Sequence, residues 1–147
     1  MATITLGGTE THTIGELPAV GSPAPDFELT NTKLEPVRLS DFAGKRLILS
    51  ILPSVDTGVC SLMAKHFEEK AGEFEDTEIL VVSRDLPFRF GTFMTTEGTS
   101  HIKMASGYRS TFGEDYGVTI VDQKFATLYS RAVVIIDENG KVMYTEQ

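Results

Sequence analysis

The chain has 147 residues, 41% of them hydrophobic and 23% charged, which is apolar material enough for one domain with a real core and far too polar for a membrane protein. Its formal net charge of −8, with Lys and Arg dispersed singly or in pairs, repels a phosphate backbone and argues against nucleic acid as a partner. A single cysteine excludes an intrachain disulfide and any two-thiol motif within one chain, in agreement with a reducing compartment.

No apolar stretch reaches the length of a membrane span, and Met1-Ala2-Thr3-Ile4-Thr5 has neither a basic start nor a cleavable apolar core. The sequence therefore predicts a cytoplasmic protein. Residues 3–15 alternate weakly around Gly7-Gly8 and read as a β-hairpin. Gly21-Ser22-Pro23-Ala24-Pro25-Asp26 is a turn-rich connector rather than a linker to a second domain, so residues 1–147 read as one domain. Phe27-Glu28-Leu29 and Val37-Arg38-Leu39 alternate like half-exposed strands, and Ser40-Asp41-Phe42-Ala43-Gly44 reads as a short helical turn closed by glycine.

Leu47-Ile48-Leu49-Ser50-Ile51-Leu52 is a continuous apolar run, the mark of a buried strand. It feeds Pro53-Ser54-Val55-Asp56-Thr57-Gly58-Val59-Cys60, the stretch on which the functional reading turns. Pro53 stops the strand, Asp56 or Thr57 offers an N-cap, and Gly58 relaxes the turn. A helix from about Val59 to Phe74 follows, with Met63, Phe67, Ala71 and Phe74 on one face and Glu68, Glu69, Lys70 and Glu73 on the wet side. Cys60 thus falls in the first turn of a helix, where free backbone N–H groups and the positive helix end favour a thiolate.

Glu78 to Ser83 is a second buried run, and two buried strands joined through a helix make a βαβ unit. Asp85-Leu86-Pro87-Phe88 ends that strand and opens an irregular or helical region to about Gly98. Residues 101–105 are weakly strand-like, Ser110 to Tyr116 reads as a short helix, and Tyr116 to Ile120 and Phe125 to Tyr129 as short strands. Ala132-Val133-Val134-Ile135-Ile136 and Lys141-Val142-Met143-Tyr144 flank Asp137-Glu138-Asn139-Gly140, a strong hairpin signal. The sum is an α/β fold: a mixed sheet flanked by helices on both faces, with an N-terminal β-hairpin.

Pro53 and Thr57-Gly58-Val59-Cys60 resemble the P-x-x-x-T-x-x-C signature of peroxiredoxins, and Pro-Ser-Val-Asp-Thr-Gly-Val-Cys is similar to the form found in the thiol peroxidase branch. Asp41-Phe42-Ala43-Gly44-Lys45, Asp85-Leu86-Pro87-Phe88, Tyr116-Gly117-Val118 and Arg131-Ala132-Val133 running into Asp137-Glu138-Asn139 extend the resemblance in order along the chain. It implies a thioredoxin-like fold, reduction of hydrogen peroxide or alkyl hydroperoxides, and a homodimer. It also implies roles: Cys60 the peroxidatic cysteine, Thr57 its hydroxyl partner, Pro53 the shield of the pocket, Arg131 the buried cation. Each role has a physical basis. A thiol with a pKa near 8.5 is mostly protonated at neutral pH, and a guanidinium that keeps its proton stabilises the anion. The departing oxygen builds negative charge, so donors aimed at it lower the barrier. The Thr57 hydroxyl and the backbone N–H groups of Val59 and Cys60 suit that task, which makes Gly58 and Val59 the substrate-binding positions. No cofactor or metal is called for.

Two departures stand out. Thiol peroxidases usually place a resolving cysteine in the helix after Asp-Leu-Pro-Phe; the matching position here is Met94, and the usual Ala-Gln after the motif is also replaced. An external thiol, thioredoxin or another, must then reduce the oxidised Cys60. Family members also usually continue past the last strand into a helix, whereas this chain stops at Glu146-Gln147: either the sequence is a shortened form or one face of the sheet is less covered. The rival reading is a redox sensor or a catalytically decayed relative that forms a mixed disulfide with a partner. Taken alone, a lone cysteine is more simply an inert core residue and Arg131 half of a surface ion pair; the assembled motif favours the chemical roles for both, while Thr57 serves equally as an N-cap, a role compatible with positioning peroxide. His66 is off the helical face of Cys60, and His12, His66 and His101 have no metal-ligand spacing.

Overall fold

The computed structural model describes residues 3–6, 9–55, 77–97 and 102–147. The expected helix from Val59 to Phe74, and Thr57, Gly58, Val59 and Cys60 with it, lie outside the described residues. The hairpin strands are β1 (Thr3–Leu6) and β2 (Thr9–His12), paired antiparallel with Leu6 opposite Thr9. They form a two-stranded sheet of their own.

The main sheet has seven strands. β3 (Glu28–Thr30) and β4 (Pro36–Arg38) pair antiparallel, and the expected helical turn follows as a 3-10 turn, Leu39–Phe42, with Gly44 at φ 82°. Then come β5 (Arg46–Ile51), β6 (Thr77–Ser83), helix α1 (Pro87–Glu97), β7 (Lys103–Ser106) and the short helix α2 (Phe112–Asp115). β8 (Ala132–Ile136) and β9 (Val142–Glu146) close the chain as the expected hairpin, with Gly140 at φ 80° in its turn. The order across the sheet is β4-β3-β7-β6-β5-β8-β9.

β5 lies inside the sheet with both edges paired: parallel to β6 from Arg46↔Thr77 to Ile51↔Val82, antiparallel to β8 from Leu47↔Ile136 to Ile51↔Ala132. Its side chains alternate between two apolar layers, as a strand buried on both faces must. Leu47, Leu49 and Ile51 face a cluster with Leu80, Val82, Val134 and Ile136, roofed by Phe112, Tyr116 and Tyr129. Ile48 and Leu52 face another with Ile79, Val81 and Met104, roofed by Phe90 and Phe93 of α1. Among the described residues a full helix covers one face, and the single turn of α2 with Tyr116 and Tyr129 beyond it covers the other. In the first layer Phe112 stacks on Tyr116 at 4.5 Å and meets Phe27 edge-on at 5.8 Å, geometries that aromatic quadrupoles favour.

The expected strands at Tyr116 to Ile120 and Phe125 to Tyr129 do not form. Only isolated bridges occur, Thr119↔Tyr129 and Thr13↔Ile120. Gly117, Gln123 and Thr127 take φ values of 69°, 62° and 77°, which break an extended run. The segment instead grips the N-terminal hairpin. The amide of Val121 donates to the His12 carbonyl at 2.9 Å, and that of Ile14 to Thr119 at 2.7 Å. The His12 amide and ring nitrogen Nδ1 meet the two carboxylate oxygens of Asp122 at 2.8 and 2.6 Å.

Candidate active site

Parallel strands β5, β6 and β7 all end on one edge of the sheet, the edge where open α/β folds gather their functional groups. The last ladder bond of β5 runs from the Leu52 amide to the Val82 carbonyl, 3.0 Å. Pro53 follows, buried, with no N–H to continue the ladder. Val55, 2% exposed, adds to the second apolar layer. Pro53 thus sits where the sequence puts it, closing the strand that leads toward Cys60.

Arg131 precedes β8. Since Ile51 pairs with Ala132, one more step of the antiparallel register sets Arg131 level with Leu52. Alternation along β8 assigns it to the face of Val133 and Ile135, which carries Leu52 and Val55. Arg131 is half-buried and its Nε is shut off from solvent. Pro53 and Arg131 therefore stand at the ends of adjacent strands. The approach to Arg131 is fixed from several sides. The Ser130 amide donates to the Val118 carbonyl at 2.8 Å, and the Tyr129 hydroxyl to Gly107 at 3.2 Å. Arg84 donates to the Thr127 carbonyl at 2.9 Å. Burial pushes the Tyr129 hydroxyl up to about 12, although the Arg84 guanidinium pulls the other way, so it remains a donor across the physiological range.

One residue here was not singled out for a role of its own. Asp85 follows β6, and its Oδ1 accepts from the Ser54 hydroxyl at 2.7 Å. Its Oδ2 accepts from the Val55 amide at 2.9 Å and the Ser83 hydroxyl at 2.6 Å. The Asp85 amide donates to Ser83 Oγ at 3.1 Å, and its carbonyl accepts the Ser106 hydroxyl. The only signal in the sequence was the Asp-Leu-Pro-Phe motif itself, which explained the end of a strand but not what the carboxylate holds. Met94, which the resemblance sets against the family's resolving cysteine, is half-buried on α1 and packs against the second apolar layer.

His12, on the hairpin, is engaged by Asp122 at 2.6 Å and Glu10 at 3.3 Å. Among the described residues no cluster of three or more His, Cys, Asp or Glu could hold a metal, and no helix is long and apolar enough to cross a membrane.

Residues 19–147 match the Redoxin family. The thiol peroxidase of Mycobacterium tuberculosis is 50% identical over 146 residues, covering 99% of this chain and 88% of that protein. The thiol peroxidase of Corynebacterium glutamicum is 46% identical over 146 residues with the same coverage of 99% and 88%. A peroxiredoxin-like protein from Aquifex aeolicus superposes with a TM-score of 0.93 at 31% identity, over 98% of this chain and 84% of that one.

Proposed function

Because this chain belongs to the thiol peroxidases of the redoxin family and carries their thioredoxin-like fold, we propose that it reduces hydroperoxides through the thiolate of Cys60. One observation carries the reading. In a chain alike to thiol peroxidases along nearly all its length, the single cysteine completes the signature that begins at Pro53, on the edge where the parallel strands end.

The Cys60 thiolate attacks one oxygen of the peroxide; the S–O bond forms as the O–O bond breaks. The leaving oxygen takes a proton and departs as water or an alcohol, and Cys60 becomes a sulfenic acid. Thr57 and the amides of Val59 and Cys60 meet the developing charge, Gly58 gives the backbone room, Arg131 stabilises the thiolate, and Pro53 limits water. With Met94 where a second thiol would stand, an external thiol condenses with the sulfenic acid, releasing water and leaving a mixed disulfide. A second thiol, or the other sulfur of a dithiol such as thioredoxin, then frees Cys60 and carries the oxidation away. Residues 1–147 act as one domain, in the cytoplasm, as one half of a homodimer.

Stopped-flow mixing with hydrogen peroxide tests the chemistry. The wild-type thiol should react orders of magnitude faster than free cysteine, and Cys60→Ser should not react. A wild-type rate no faster than free cysteine rejects the proposal. Light scattering of the same preparation should return twice the chain mass.

A further inference from the structure

We infer that Asp85 is a positioning residue for Cys60: its carboxylate holds Ser54 and Val55 and so sets where the segment leading to the thiolate leaves the sheet. The inference rests on the peroxidatic reading of Cys60. Among the described residues the last β5-to-β6 bond is that of Leu52, and Pro53 has no N–H to donate. Asp85 anchors the residues that follow by accepting from the Ser54 hydroxyl at 2.7 Å and the Val55 amide at 2.9 Å. Val55 lies five residues before Cys60, so an error in its position passes down one short segment.

The anchor is itself braced. The Ser83 hydroxyl donates to Asp85 Oδ2 at 2.6 Å, while its oxygen receives the Asp85 amide at 3.1 Å. Ser106, at the end of β7, donates to the Asp85 carbonyl, and its oxygen receives the Tyr108 amide at 3.1 Å. Ser83 and Ser106 are fully buried, so these bonds are shielded from water. Asp85 lies one position outside the N-cap of the helix that opens with Pro87, and its carboxylate accepts from Ser54, Val55 and Ser83. Three donors on two oxygens demand an acceptor-only group in this place, which a carboxylate is and an amide is not.

The test compares Asp85→Ala, Asp85→Asn and Ser54→Ala with wild type in peroxide rate constant and in the pH at which the thiolate absorbance of Cys60 appears. Ile79→Val, a buried change in β6, controls for lost stability. Asp85→Ala should lower the rate constant at least tenfold and move the thiolate titration upward. Asp85→Asn, which keeps one acceptor oxygen, and Ser54→Ala should shift both readouts the same way by less, and they carry the test if Asp85→Ala does not fold. Ile79→Val should lose stability with an unchanged titration. Folded Asp85 variants with wild-type rate and titration overturn the inference while Cys60 stands as the peroxidatic residue. Peroxide consumption that survives in Cys60→Ser overturns both.

Discussion

Ser50 sits near the C-terminal end of β5 with 0% exposure, and its hydroxyl finds no hydrogen-bond partner among the described residues. It faces the second apolar layer between Ile48 and Leu52. A buried hydroxyl without a partner costs about 1–3 kcal/mol in lost hydration, more than its small volume returns in packing. Ser50→Ala should therefore raise stability by about 1 kcal/mol, read as a higher urea midpoint with an unchanged slope. A lower midpoint would mean that the oxygen is satisfied after all. Asp85 is the opposite case, a polar group with its partners assembled from the ends of three strands.

At the scale of elements, the N-terminal hairpin pairs with no strand of the main sheet and depends on the 119–122 segment. The ion pair of His12 with Asp122 is its pH-dependent tie. The Asp122 hydrogen bond and charge raise the His12 pKa above 6.5, with Glu10 adding to the effect. The His12 amide and ring hold the Asp122 carboxyl below 3.8. A raised histidine gives its full stabilisation below pH 6.5 and loses it as pH climbs through the folded-state value. A depressed carboxyl gives its stabilisation above pH 3.8 and loses it as pH falls through the folded-state value. The tie is therefore strongest between those two ordinary values and loosens as pH climbs through the folded-state value of His12. Hydrogen exchange of the β1 and β2 amides, corrected for the intrinsic rate, should show protection falling as pH rises past that point. His12→Gln should flatten the dependence; a hairpin equally protected at all pH values would remove the tie from the account.

For the whole molecule, the legible part of the sequence was whatever announces itself by period or punctuation. Leu47 to Leu52 and Glu78 to Ser83 were continuous apolar runs and became adjacent parallel strands; Asp137 to Gly140 was a turn with its glycine in place. The 116–129 region misled because its two arms pair only through isolated bridges and loop bonds, and residues such as Gln123 and Thr127 take positive φ without a glycine to signal it. The motif at Pro53 and the cation at Arg131 were readable as a resemblance. What was not readable was the register that sets Arg131 level with Leu52, or the serines that turn Asp85 toward Ser54, since those depend on residues far apart in sequence. The lone thiol also has a consequence for the molecule. With no second cysteine in the chain to trap the sulfenic acid, repeated peroxide without reductant should drive Cys60 on to sulfinic acid, seen as a gain of two oxygens by mass spectrometry. Added thioredoxin or a small thiol should suppress that product; a sulfenic acid that persists unchanged would mean the site shields it.

β5 draws its two neighbours from very different distances along the chain. Val82 is made soon after Ile51, whereas Ala132 is made much later. During synthesis one flank of this strand therefore stands bare on the ribosome while the intervening residues are still being translated. Closing a loop of that span is slow compared with zipping the β8–β9 hairpin. The finished hairpin must then be captured as a unit, and the nascent chain is most in need of chaperone cover in the interval before it arrives.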